Sequence, residues 1–187
     1  NVGLEKNRTY NLNKFFFKSV LKKKPFTKVK IAISTDEKIA WHDYKSKWIS
    51  NKSSREYAHK LRSMSQAILT TSKTVLKDDP RLTIRLKKTL EQHIPVIIID
   101  NNLKIPMKSK ILNDIPKKRI IIFTSKKNKK SQNLIKLGCE IIFCKLNKNK
   151  KLNLKNIFSK IYSLKISDLL VEAGGIFFTE LLNNNLV

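Results

Sequence analysis

Six short apolar runs constrain this chain more than any other feature: VKIAIS (29–34), QAILTT (66–71), PVIIID (95–100), RIIIFTS (119–125), EIIFC (140–144) and DLLVEA (168–173). Most are continuous rather than alternating, the pattern of strands covered on both faces. SSREYAHKLRSM (53–64), KKSQNLIKLG (129–138), NLKNIFSKIYSL (153–164) and GIFFTELLNN (175–184) carry helical spacing, and Gly138 fits a helix stop. The alternation predicts an α/β domain with a mostly parallel central sheet flanked by helices. No internal repeat is visible.

The 187 residues suffice for one main domain, and 40 basic against 14 acidic side chains give a formal charge of +26. Such a charge points first to a phosphate-bearing partner. Arginine, however, stands only at positions 8, 55, 62, 81, 85 and 119, and lysine is scattered through every segment among asparagine and isoleucine. That profile reads as compositional drift and argues against nucleic-acid binding as the main function, since a nucleic-acid grip favours clustered arginine with exposed aromatics. Lys145 to Lys151 reads as a solvated loop. Cys139 and Cys144 form no disulfide framework, and the N-terminus lacks the apolar core of a signal peptide, which predicts a cytoplasmic protein. No run is long enough to cross a bilayer. Residues 11–26 suit either a basic amphipathic membrane helix or, preferably, a linker helix docked through Phe15 to Phe17 and Val20.

In an open α/β sheet, ligands collect beyond the carboxyl ends of the strands. Two stretches with unusual residues fall there. TTSKTVLKDDPRLTIRL (70–86) sets Asp78 and Asp79 before Pro80, which reads as a turn with Asp79 pushed into extended backbone or as a site. Gly174-Gly175, between the last strand and the last helix, reads as a tight turn or as a place where phosphate approaches backbone N–H groups. There is no GxGxxG and no Walker loop. His42, His59 and His93 lack metal-ligand spacing and read as surface histidines, and the two cysteines read as buried thiols. No metal site and no GxSxG hydrolase elbow is expected.

KIAISTDEKIAW, SKWIS, REYAHKLRSMSQAILTTSKTVLKDDPRLTIRL and LLVEAGG, in this order and spacing, resemble the reductase domain of the bifunctional riboflavin-biosynthesis deaminase/reductase. The resemblance runs almost without gaps over 28–86 and returns at 95–101 and 168–187. It implies a dihydrofolate-reductase-like fold and NADPH-dependent reduction of 5-amino-6-(5-phosphoribosylamino)uracil to its ribityl form. Carried over residue by residue, it places Ser46, Arg62, Leu82, Arg85 and Glu172 on the substrate. It places Ala32, Trp48, Thr74, Asp78, Asn101, Gly174, Gly175, Ile176, Phe177, Phe178, Thr179 and Glu180 on the cofactor, although Trp48 also suits plain core. Lys30, read as lying on a buried strand, matches a lysine that reaches the ribose. Lys30 and Glu172 are the candidates for the polar catalytic work. Arg62 and Arg85, retained where lysine dominates, suit bidentate phosphate capture, against the alternative of surface Arg–Asp pairs.

The resemblance further implies that residues 1–27 are a remnant of a deaminase tail and linker, and that 28–187 form the reductase domain without its last strands. The deaminase zinc motif is absent from this sequence, so a separate deaminase chain is expected, with a homodimer as the assembly. Glu37 and Tyr44 stand where the family usually has glycine, and Asn101 replaces a serine. If Glu37 needs a positive φ it carries strain of about 1 kcal/mol. Two other readings are a sister reductase acting on the non-deaminated diamino-pyrimidinone, and a degenerate reductase that docks a deaminase.

Overall fold

The computed structural model describes residues 3–39, 50–86 and 92–187. Six strands, β1 (Phe26–Val29), β2 (Ala67–Thr71), β3 (Val96–Ile99), β4 (Ile120–Thr124), β5 (Glu140–Phe143) and β6 (Asp168–Val171), form one sheet in the order β1-β6-β2-β3-β4-β5. Every pairing is parallel. The helices are α1 (Lys6–Lys22), α2 (Lys52–Ser63), α3 (Ser72–Asp78), α4 (Lys129–Lys136), α5 (Leu154–Ser163) and α6 (Gly175–Asn183).

The continuous apolar runs are explained by two cores on opposite faces. Ala67, Leu69, Ile97, Ile121, Phe123, Leu169 and Val171 point to one face, beneath α5 and α6. Ile68, Val96, Ile98, Ile120 and Ile122 point to the other, with Val75 of α3 and Leu134 of α4. Since successive strand residues alternate sides, a strand covered on both sides must be apolar throughout. Gly138, at φ +99°, ends α4 as its position suggested, and its N–H donates to the Ile135 carbonyl.

Three expectations are corrected. The first strand is 26–29, not 29–34, because its partner β6 leaves the ladder after Val171; Lys30 lies just past β1, its N–H making the last bond, to the Val171 carbonyl. A helix, α1, stands where the docked helix was expected, but Phe15, Phe16 and Val20 are exposed; Phe15 still meets Phe26 edge to face, while Phe17 stacks on Tyr10 of the same helix. Residues 72–78 form a helix, capped by the Thr71 side chain. Asp79 is left-handed (φ 39°, ψ 55°) rather than extended, which an aspartate tolerates, and its carboxylate accepts the Lys110 N–H at 2.9 Å. The condition set for Glu37 is met, with φ 62°.

The far side of the second core contains a buried charge cluster. Lys118 is fully buried; its Nζ donates to the Arg81 carbonyl at 2.6 Å and sits 3.6 Å from Asp114. Hydrogen bonds from Arg81, 2.9 Å away, hold the Asp114 carboxyl below its ordinary value. Asp114→Asn strips the Lys118 ammonium of its counter-ion, and urea denaturation should show a loss of about 3 kcal/mol, whereas Asn113→Asp on the adjacent exposed position should change stability by less than about 0.5 kcal/mol.

Candidate active site

The carboxyl ends of β1, β6, β2 and β3 lie side by side, and the loops leaving them bring most of the expected residues to one edge of the sheet. Glu172, the first residue after β6, is buried there. Arg62 reaches it from α2 with two bonds, Nε at 2.5 Å and Nη2 at 3.0 Å, and Lys30 Nζ lies 3.3 Å away from the end of β1. The Glu172 backbone is fixed as well: its N–H donates to the Leu69 carbonyl and its carbonyl accepts from Thr70 Oγ1 at 2.8 Å. Burial pushes the Glu172 carboxyl up, yet the Arg62 hydrogen bonds and charge, with Lys30 behind them, outweigh it and hold the group below its ordinary value. Glu172 is therefore a carboxylate held between two cationic side chains, Arg62 and Lys30, the latter 31% exposed.

Arg62 has its guanidinium occupied. Besides Glu172 it donates from Nη1 to the Thr83 carbonyl at 2.8 Å, so it shapes the site instead of offering a free fork to phosphate. Arg85 is exposed, steadied by an Nη1 bond to Thr83 Oγ1 at 3.1 Å. Leu82 is turned into the second core at φ 50°.

On the expected cofactor side, Thr74 and Asp78 stand one turn apart on the same face of α3, and Asp78 is exposed. Ala32 lies beyond β1, half-buried. Gly174 begins α6 with no side-chain cap, and a Cβ there would meet nothing within 4 Å; a Cβ on Gly175 would strike Ile39 at 2.8 Å. Of the following residues Ile176 is exposed and Phe178 half-buried, while Phe177 belongs to the core. Thr179 donates back to the Gly175 carbonyl.

Asn101 and Glu180 are tied to one loop. Asn101 Nδ2 donates to the Lys150 carbonyl at 3.1 Å, and Glu180 pairs with Lys151 at 2.5 Å. The 145–151 segment, expected as plain solvated surface, is a turn pinned by Asn147, whose Oδ1 accepts the N–H groups of Asn149 and Lys151. Ser46 and Trp48, like His42 and Tyr44, lie outside the described residues. Among those described, no group of three His, Cys, Asp or Glu side chains gathers to hold a metal. Burial raises the Cys139 thiol to about 11, which makes it inert packing, as expected.

Sequence reasoning passed over Thr70, Thr83 and His59. His59 is half-buried and accepts the Arg85 backbone N–H, so it is not the surface histidine expected. Its spacing of three residues from Arg62 on α2 was the available signal.

This sheet, with a buried ion-paired carboxylate beside an uncapped helix start, is that of a dihydrofolate-reductase-like α/β domain. The chain belongs to the RibD C-terminal domain family, whose sequence model matches residues 25–187. It is 38% identical over 173 residues to the riboflavin biosynthesis protein RibD of Aquifex aeolicus, across 92% of this chain and 47% of that protein. Among solved structures, it is similar to a diaminohydroxyphosphoribosylaminopyrimidine deaminase/5-amino-6-(5-phosphoribosylamino)uracil reductase from Thermotoga maritima, with a TM-score of 0.77, 30% identity, and coverage of 95% of this chain and 47% of that one. Acinetobacter baumannii RibD shares the fold, at a TM-score of 0.79 and 24% identity over 95% of this chain and 48% of its own. The chain spans about half the length of these RibD relatives.

Glu172→Gln removes the charge that Arg62 and Lys30 share, and should lower stability by about 3 kcal/mol in urea at neutral pH. Because the folded-state carboxyl lies below its ordinary 4.5, its contribution is present above that pH and is lost as pH falls through the depressed value. The stability gap between wild type and Glu172→Gln should therefore close on acidification below about pH 4.5.

Proposed function

We propose that this domain reduces 5-amino-6-(5-phosphoribosylamino)uracil to 5-amino-6-(5-phosphoribitylamino)uracil, with NADPH as the reductant. The observation that carries this reading is the Lys30–Glu172–Arg62 trio at the carboxyl edge of the sheet, beside the uncapped start of α6. The residues present fit a dinucleotide: Gly174 leaves open space at a nine-residue helix whose first turn has no side-chain cap, so its N–H groups and dipole favour a phosphate. Thr74, Asp78 and Asn101 would hold the rest of the cofactor from the ends of β2 and β3. NADPH, when bound, supplies the hydride that reduces the sugar C1′.

The chain's own residues supply position and a proton. Arg85 meets the substrate phosphate. Glu172, kept ionised by Arg62, orients Lys30, and Lys30 Nζ holds the proton that neutralises the charge developing on the substrate as C1′ is reduced. Positioning alone can contribute several kcal/mol, about 7–11 in well-oriented intramolecular reactions.

Following NADPH absorbance with the deaminated and the non-deaminated pyrimidine tests the assignment. Oxidation is expected with the deaminated substrate. A preference for the diamino-pyrimidinone would move the chain to the sister reaction, and oxidation with neither would leave a docking role.

The two adjacent aspartates separate cofactor contact from scaffold. Asp78→Ala should raise the KM for NADPH. Asp79→Ala loses the bond to the Lys110 N–H and should cost about 1 kcal/mol of stability while leaving the KM for NADPH within about twofold. Identical behaviour of the two variants would refute this division.

A further inference from the structure

His59 Nδ1 accepts the Arg85 backbone N–H at 3.0 Å. One residue pair away, the Thr83 carbonyl accepts Arg62 Nη1, and Thr83 Oγ1 accepts Arg85 Nη1. The segment carrying Arg85 is thus pinned to α2 twice, through His59 and through Arg62. A ring nitrogen that accepts has no proton, so His59 is neutral and its hydrogen is on Nε2. Among the described residues, four groups from three elements face the ring: Arg62 on its own helix, Arg85 and the Thr83 carbonyl on the segment packed against it, and Glu172 after β6. Burial first, then the two arginines, hold the imidazole below its ordinary value, with the Thr83 carbonyl and Glu172 opposing.

We infer that His59 is a positioning residue for Arg85: as a neutral acceptor it fixes the backbone from which the Arg85 guanidinium reaches the anionic group of the substrate, and its protonation releases that segment. Two features support a role beyond packing. The bond is to the backbone of the one site arginine whose guanidinium is exposed instead of locked on a carboxylate. And the acceptor is titratable, whereas the second tether, through Arg62, is not. The placement of Arg85 therefore depends on His59. The identity of the anion as the substrate's phosphate rests on the proposed function; the tether does not.

Two measurements on the full chain test this. In nitrogen-15 NMR, His59 should show the Nε2–H tautomer near neutral pH, and the Arg85 amide resonance should move with the His59 titration, on the acidic side of the ordinary histidine value. An Nδ1–H tautomer, or an Arg85 amide indifferent to that titration, would overturn the inference. In steady-state kinetics, His59→Ala should raise the substrate KM about tenfold, the worth of one such hydrogen bond, with kcat and the KM for NADPH within about twofold. His59→Asn supplies an acceptor that does not titrate and should restore the substrate KM to within about threefold. The substrate phosphate itself titrates near pH 6, so the acidic rise in KM is judged by difference: it should be steeper in wild type than in His59→Asn. Superimposable profiles, or an equal rise in both KM values for His59→Ala, would overturn the inference. If the chain turns over no pyrimidine substrate, the proposed function falls, and the NMR titration still decides the tether, with ribose 5-phosphate as the probe expected to perturb the Arg85 amide in wild type more than in His59→Ala.

Discussion

The buried carboxylate of Glu172 is the point on which this structure turns. It ties α2, through Arg62, to the ends of β1 and β6, through Lys30 and its own backbone, and these elements are far apart in the chain. A carboxylate taken out of water is tolerable only when its lone pairs are filled, and here a bidentate guanidinium and an ammonium fill them. The same pairing keeps the Glu172 carboxyl ionised.

In a chain with a formal charge of +26, the acidic residues are placed with economy. Asp79, Asp114, Glu140, Asp168, Glu172 and Glu180 each pair with a lysine or arginine. Exposed pairs such as Lys151–Glu180 contribute little to stability by themselves. Asp114 and Glu172 differ because they neutralise cations that the fold has removed from water, Lys118 in one case and most of Arg62 in the other. The adjacent aspartates of the 70–86 stretch show the same economy: Asp79 braces a loop through the Lys110 N–H, while Asp78 at the end of α3 stays exposed toward the sheet edge where the cofactor is proposed to lie.

Much of the fold was legible because hydrophobic pattern is a local signal that burial enforces. The runs at 66–71, 95–100, 119–125, 140–144 and 168–173 became strands, and the spacing at 53–64, 129–138, 153–164 and 175–184 became helices, each within a residue or two. Errors came where a partner decided the outcome. β1 ends at Val29 because β6 turns away, and no property of the sequence 30–34 announces that. Phe16 and Val20 look like anchors by composition, yet α1 leaves them exposed. At the site, Arg62 reads from sequence as suited to phosphate, and no local pattern announces that Glu172 and the Thr83 carbonyl occupy its guanidinium.

By itself, then, the sequence determined the elements, the parallel sheet and the list of polar residues gathered at its carboxyl edge, because period, capping and charge act over a few neighbouring positions. Tertiary structure decided what those residues do to each other. Lys30 and Glu172 are 142 positions apart, and Arg62 and Glu172 110, so their pairing depends on the strand order that puts β1, β6 and β2 side by side. The state of the Glu172 carboxyl, the neutral His59 that holds the Arg85 backbone, and the core placement of Leu82 all follow from that order. Ionisation and orientation respond to the groups within a few ångströms, and those neighbours exist only in the folded chain.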